Sequence, residues 1–256
     1  MNNINSPEQF FSKHAGDYTK SESHAHGRDL ARLIEVLEPK PSEVALDVAT
    51  GTGFTALEVS KKVSQVFATD ITSEMLEEAK KLALKEGANN IRFEKAEAAS
   101  LPYNDCSFDI VTTRRAAHHF NDISQFLNEI SRVLKPCGRL GLVDMSPIEG
   151  TQDFCNLIER LRDHTHAKAL TAAEWKIAMN QAHLSLTHIE TQGEEISFEK
   201  WLYPVKMGRR EEEEIRKEWR KSSKEIQQAL TLKDGPLNVK SWIKTRIILI
   251  AHKTTQ

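Results

Sequence analysis

Leu46-Asp47-Val48-Ala49-Thr50-Gly51-Thr52-Gly53-Phe54 is the stretch that decides the fold of this chain. A short apolar run from Val44 to Val48 leads into a loop of small residues, and a helical pattern follows over residues 53–62. Strand, small-residue loop and helix is the arrangement with which an open α/β sheet binds ligands, outside the carboxyl ends of its strands. Small side chains let the backbone approach a ligand, and the free N–H groups of the following helix favour anionic or polar groups. Gly51-Thr52-Gly53-Phe54-Thr55-Ala56 also satisfies G-x-G-x-x-A, a dinucleotide fingerprint, and Asp70 stands 19 residues beyond Gly51. A nicotinamide-dependent oxidoreductase and a purely structural glycine turn are therefore both readings to weigh.

Working outward, strands and helices alternate over residues 43–146. Val66 to Asp70 is a second strand, and Ser73 to Glu86 a helix stopped by Gly87. Strands follow at Ile91 to Phe93, Phe108 to Thr112 and Arg139 to Val143. Between the last two, residues 121–134 carry Ile123, Phe126, Leu127, Ile130, Val133 and Leu134 on a helical stripe. Such alternation implies βαβ units, a mostly parallel sheet and right-handed crossovers. Residues 6–37 read as helical and precede the first strand, where they can cover a site at the sheet's carboxyl edge. Beyond residue 147 the pattern predicts helices at 153–163 and 172–182, a strand from Ser185 to Ile196, a long charged helix over 209–230 and a closing strand from Trp242. One domain with four parts is expected: a cover over 1–42, a core over 43–146, a helical lid with the sixth strand over 147–240, and a closing strand over 241–256.

Three acids choose among the ligands. Asp47 ends the first strand ahead of the loop, where a carboxylate gains nothing from a pyrophosphate but does from an amino-acid ammonium. Asp70, at the tip of the second strand, is suited to accept hydrogen bonds from two ribose hydroxyls. Glu97, after the third strand, can accept from an adenine amino group. A ligand with an ammonium, a ribose and an adenine, and no required phosphate, describes S-adenosylmethionine better than NAD.

At this point the chain resembles the seven-stranded class I S-adenosylmethionine-dependent methyltransferases, and most of all the subgroup similar to ubiquinone/menaquinone-biosynthesis methyltransferases. The residues that carry the resemblance are Leu46 to Gly53, Asp70 to Leu76, Glu97 to Tyr103, Ser107 to Val111, Arg114 to Phe120 and Arg132 to Gly138. Two positions depart from it: Ala49 stands where the family usually has its first glycine, a change expected to cost little room, and Cys137 replaces a turn glycine. The resemblance implies a Rossmann-like sheet ordered 3-2-1-4-5-7-6, with the seventh strand antiparallel and helices on both faces. It also implies roles. Asp47, Thr50 and the backbone of Ala49 and Gly51 would hold the methionine end, and Asp70 the ribose. Ile71 and Met75 would sandwich the adenine, whose edge Glu97 and the Ala98 N–H would read. Arg114 would approach the methionine carboxylate unless it serves a surface salt bridge, and a tyrosine over the cofactor would be Tyr18.

Methyl transfer from a sulfonium is an in-line displacement, so the protein chiefly aligns the acceptor and excludes water. A base helps only where the acceptor must lose a proton. His118 and His119, at the end of the fourth strand, are the candidates, and histidine there can titrate near neutral pH. His24 and His26 are weaker ones, and none of these pairs has the further ligands a metal site needs. In the lid, Arg162 and His166 are candidates for a polar or anionic acceptor. Trp175, Trp201 and Tyr203 would wall an aromatic pocket or pack between lid and sheet. Pro136-Cys137 resembles the nucleophile of cytosine C5 methyltransferases but precedes the fifth strand, the wrong place for a flipped base. The Asn/Asp-Pro-Pro-Tyr pattern of amino-methyltransferases is absent after the fourth strand.

Composition agrees with a globular enzyme. The chain has 256 residues, 28% of them charged, and a formal net charge of −2, which does not fit a basic nucleic-acid binder. Residues 209–225 hold seven basic and six acidic side chains, the pattern of a solvated helix face. Three scattered cysteines form no CxxC pair, so neither a disulfide framework nor a zinc site is expected. With a polar start and no apolar run near bilayer length, a cytoplasmic enzyme acting on a small molecule is the expectation. A catalytically silent S-adenosylmethionine-binding protein is the alternative, and would have no open space beside the sulfonium.

Overall fold

The computed structural model describes residues 7–18, 25, 27–203 and 207–254, without the side chains of residues 14, 17 and 18. Seven strands make one sheet ordered β3-β2-β1-β4-β5-β7-β6. They are β1 (Val44–Val48), β2 (Gln65–Asp70), β3 (Ile91–Lys95), β4 (Phe108–Arg114), β5 (Leu134–Met145), β6 (Leu184–Ser197) and β7 (Ser241–Lys253). The first five are parallel, and β7 runs antiparallel between β5 and β6. Order and orientation are those the resemblance implies. The switch in strand order falls between β1 and β4, where the loop after β1 opens.

Alternation along the strands makes two cores. Leu46, Val111, Leu142 and Leu249 face α5 (Ile123–Val133) and α7 (Ala172–Gln181) through Phe126, Leu127, Ile130, Trp175 and Met179. Their chain neighbours Ala45, Ile110, Val143 and Ile248 face the other side, against Leu33 and Leu37 of α2 (Arg28–Leu37) and Ala56 and Val59 of α3 (Phe54–Ser60). Period-2 patterning with apolar residues on both faces is what a sheet covered on both sides requires. The third layer of the chain is a separate cluster. Phe154 and Ile158 of α6 (Gln152–Arg162) pack on Phe198 and Trp201 of α8 (Phe198–Leu202), Trp219 of α9 (Arg209–Lys221) and Trp242 of β7.

One expectation about the elements is corrected. The helix foreseen over 209–230 is two, α9 and α10 (Lys224–Ala229), broken at Ser222-Ser223. The Ser222 hydroxyl donates to the Trp219 carbonyl at 2.6 Å and Ser223 accepts from Ile226 N at 3.4 Å, so both serines compete with the helical backbone. The N-terminal helical stretch contains α1 (Pro7–Tyr18) and then α2, with α1 lying against α4 (Ser73–Lys85) and Glu8 paired to Lys95 at 2.6 Å. Among the described residues no helix is long and apolar enough to cross a membrane, and no group of three His, Cys, Asp or Glu side chains could hold a metal.

Candidate active site

The carboxyl ends of β1, β2, β3 and β4 open onto a cavity of about 390 Å³. Its walls are the loop after β1, the tip of β2, the segment 96–99 after β3 and the segment 114–122 after β4, and α1 contributes Pro7, Glu8 and Phe11. A cavity of this size suits a small ligand.

The loop is shaped by left-handed backbone. Ala49, Gly51 and Gly53 have φ of +53°, +55° and +87°. At Gly53 a Cβ would lie 2.8 Å from Ala79 Cβ, so only glycine lets the loop pack on α4. Ala49 carries a backbone cost that the sequence does not reveal: alanine lacks glycine's freedom at positive φ. The turn brings Gly51 N–H to Asp70 Oδ2 at 2.8 Å, while Thr72 N–H donates to Asp70 Oδ1 at 2.9 Å. Burial pushes the Asp70 carboxyl above its ordinary range, and these N–H groups offset only part of that. Both oxygens keep a second lone pair, and the residue lines the cavity.

Asp47 is placed otherwise than expected. It does not line the cavity and is 1% exposed. Thr50 Oγ1 and Thr112 Oγ1 donate to its two oxygens, each at 2.6 Å, and burial pushes its carboxyl up to about 6 against those hydrogen bonds. Its contact is with the loop, through Thr50.

Ile71, 38% exposed, Met75, buried in α4, and Ala96, exposed Glu97 and Ala98 after β3 also line the cavity. Arg114 lines the cavity and is bound to Asp29, but as part of a buried cluster and not a surface pair. Arg114 Nη2 and Arg115 Nη2 reach Asp29 Oδ1 at 3.0 and 2.9 Å, and their Nε atoms reach Oδ2 at 3.1 and 2.9 Å. Burial raises the Asp29 carboxyl, but Arg115 and Arg114 outweigh it and hold the group well below the usual carboxylate range. Burial and the Arg114 charge bring Arg115 down to about 10. Asp29 and Arg115 escaped the sequence reading. The signal was there: Asp29 shares a stripe at i, i+4, i+8 with buried Leu33 and Leu37, and a charge on an apolar stripe needs a partner.

The adjacent histidines separate. His119 lines the cavity, its ring 5.0 Å from Phe11 in an edge-to-face contact. Its Nδ1 lies 3.1 Å from the Thr165 carbonyl and 3.0 Å from Thr165 Oγ1. Burial, reinforced by His118, lowers its pKa to about 3, which corrects the expectation of titration near neutrality. His118 does not line the cavity: its Nδ1 pairs with buried Asp144 Oδ1 at 2.5 Å, its own N–H donates to Oδ2 at 2.8 Å, and its carbonyl accepts from Ala167 and Lys168. His118 thus anchors the turn that carries His119.

The lid candidates turn inward, away from the cavity. His166 Nε2 meets Asn156 Oδ1 at 2.7 Å, and Arg162 pairs with Glu159 at 3.0 Å and donates to the Trp201 carbonyl. Trp175 and Trp201 are core residues, and Tyr203 is 53% exposed. None of the five lines the cavity. His24, His26 and the side chain of Tyr18 lie outside the described residues.

Comparison with known proteins settles the family. Residues 46–142 match the model of a methyltransferase domain. The uncharacterized methyltransferase YcgJ of Bacillus subtilis is 38% identical over 75% of this chain and 77% of its own length. The chain belongs to the class I S-adenosylmethionine-dependent methyltransferases. The crystal structure of YcgJ superposes with a TM-score of 0.86, at 31% identity, covering 90% of this chain and all of that one. A demethylmenaquinone methyltransferase of Deinococcus radiodurans is 43% identical over 46% of this chain and 48% of its own length. As a family member the protein is a methyltransferase with S-adenosylmethionine as its cofactor, and the nicotinamide reading is set aside.

The residues present fit that cofactor. The cavity offers a carboxylate with spare lone pairs at the tip of β2, apolar side chains at Ile71 and Met75 beside it, and small residues along the loop.

Proposed function

We propose that this methyltransferase acts on a small-molecule acceptor bound in the cavity beside His119 and Phe11, under the cover helix α1. The observation that carries the reading is the open space beside His119, walled by Phe11, Phe120 and Ala116 and continuous with the cavity at Asp70. A silent binding protein would need no such room. The cofactor supplies an electrophilic methyl when bound. Asp70 would accept from the ribose hydroxyls, Ile71 and Met75 would flank the adenine, and Glu97 with the Ala98 N–H would read its edge. Gly51 and Thr50, backed by Asp47, would shape the methionine end, and Arg114 would face its carboxylate. His119, which burial keeps neutral, would accept a hydrogen bond from an acceptor that must lose a proton and so align it for the methyl transfer. α1 excludes water. DNA does not fit a cavity roofed by a helix in a protein of net charge −2.

The test is radiolabel transfer. S-adenosylmethionine carrying a tritiated methyl is incubated with cell extract, with and without the purified protein. Label appearing in the low-molecular-mass fraction only when the protein is present supports the reading. Label confined to protein or nucleic acid overturns it.

A further inference from the structure

We infer that Asp163 and Thr165, in the turn after α6, are positioning residues that fix which ring nitrogen of His119 carries the proton and leave Nε2 as the acceptor at the reaction centre. The inference rests on the reading of His119 given above.

The hydrogens can be assigned from chemistry alone. The Thr165 carbonyl only accepts, and it lies 3.1 Å from His119 Nδ1. The Thr165 hydroxyl lies 2.6 Å from Asp163 Oδ1, an acceptor-only carboxylate, so its hydrogen is committed there. Thr165 Oγ1 can then meet His119 Nδ1, 3.0 Å away, only by accepting. Both contacts require Nδ1–H. In a neutral imidazole this leaves the lone pair on Nε2, on the opposite edge of a ring that lines the cavity. Among the described residues, both side-chain hydrogen bonds of His119 run through Nδ1, and Nε2 has no protein partner.

The pair is itself held. Thr165 N–H donates to Asp163 Oδ1 at 2.9 Å, and Asp163 N–H to the Glu159 carbonyl at 2.8 Å. Ala167 and Lys168 N–H groups donate to the His118 carbonyl at 2.9 and 3.1 Å, which ties this segment to the turn carrying His119. The negative charge of Asp163 also opposes the loss of basicity that burial imposes on His119. Orientation of a base by a second group through its far nitrogen is a recurring way to aim an imidazole.

The experiment reads the tautomer directly, with the full-length protein, ¹⁵N-labelled histidine and S-adenosylhomocysteine present. Long-range proton–nitrogen spectra of the wild type should show His119 with a protonated Nδ1 and a bare Nε2. In Asp163→Ala the Thr165 hydroxyl is released to donate to Nδ1, and the Nε2–H form should appear as a mixture. Asp163→Asn keeps an oxygen for both Thr165 donors, so it should retain the wild-type tautomer. Retained S-adenosylhomocysteine binding shows that the variants are folded. An Nε2–H tautomer in the wild type, or an unchanged tautomer in Asp163→Ala, overturns the proposal. Failure of the acceptor reading shows elsewhere, as label outside the low-molecular-mass fraction.

Discussion

Asp70 accepts the backbone N–H of Gly51 at 2.8 Å, so the tip of β2 and the loop after β1 form one unit. The same carboxylate holds Thr72 N–H at the start of α4. Replacing Asp70 should therefore loosen the loop as well as remove the acceptor proposed for the ribose. Asp70→Ala should lose charge-assisted hydrogen bonds worth about 1.5–3 kcal/mol each. Losing two would weaken S-adenosylhomocysteine binding by roughly 10²–10⁴-fold in titration calorimetry. Glu97→Ala should cost less, because Glu97 is exposed and the Ala98 N–H remains. Wild-type affinity in Asp70→Ala would show that the ligand is held elsewhere.

Ala49 and Cys137 stand where the resemblance led us to expect glycine, and both are left-handed, with φ of +53° and +61°. A side chain in that region costs about 1–2 kcal/mol, part of which glycine gives back through unfolded-state entropy. Ala49→Gly and Cys137→Gly should each raise stability by about 1 kcal/mol in urea unfolding. Their effects should add, because one lies in the cavity loop and the other before β5's central segment. A fall in the unfolding midpoint for either variant would contradict the strain.

What the sequence made legible was local. Alternating apolar residues gave the strands, and the small-residue loop with Asp70 gave the switch point, because each is written within a few neighbouring residues. Pairings across long separations were not legible. Asp29 meets Arg114 from 85 residues away, and Thr165 meets His119 from 46 residues away, with no periodicity linking either pair. The hydrogen bonds of Asp47 were hidden for a related reason: its position at the strand end was plain, but the two threonines that donate to its oxygens come from different elements. Trp201 was ambiguous because an aromatic residue can wall a pocket or fill a core. The cluster with Trp219 and Trp242 decides for the core.

The Asp29 clamp gives a stability prediction. Asp29→Ala leaves two neighbouring, largely buried guanidiniums without their shared carboxylate. Breaking a buried pair from one side costs about 3–5 kcal/mol. Asp29→Asn keeps one acceptor oxygen for the guanidinium N–H groups, while its amide N–H2 faces donors, so it should cost less than Asp29→Ala but more than nothing. The urea midpoint of each variant checks this order, and equal midpoints for Asp29→Ala and the wild type would remove the clamp from the stability account.

His119 and Asp47 should give opposite pH signatures. The folded pKa of His119 is lowered to about 3, below its ordinary 6.5, so the unfolded chain binds its proton first as pH falls. Its contribution to stability is complete above pH 6.5 and is lost as pH drops toward 3. Asp47 is raised from 3.8 to about 6, so its contribution is complete below 3.8 and is lost as pH rises toward 6. His119→Gln should therefore flatten the acid-side loss of stability, and Asp47→Asn should steepen it. Each changes the slope by at most about 1.4 kcal/mol per pH unit. Unfolding curves from pH 4 to 7 measure both. The same shift predicts the form of His119 during turnover: neutral throughout the neutral range. With a true acceptor, His119→Gln should lower turnover by roughly 10²–10⁴-fold while leaving the profile near neutrality unchanged in shape. An acid limb near pH 6.5 that vanishes in His119→Gln would show that the histidine titrates freely and that burial does not govern it.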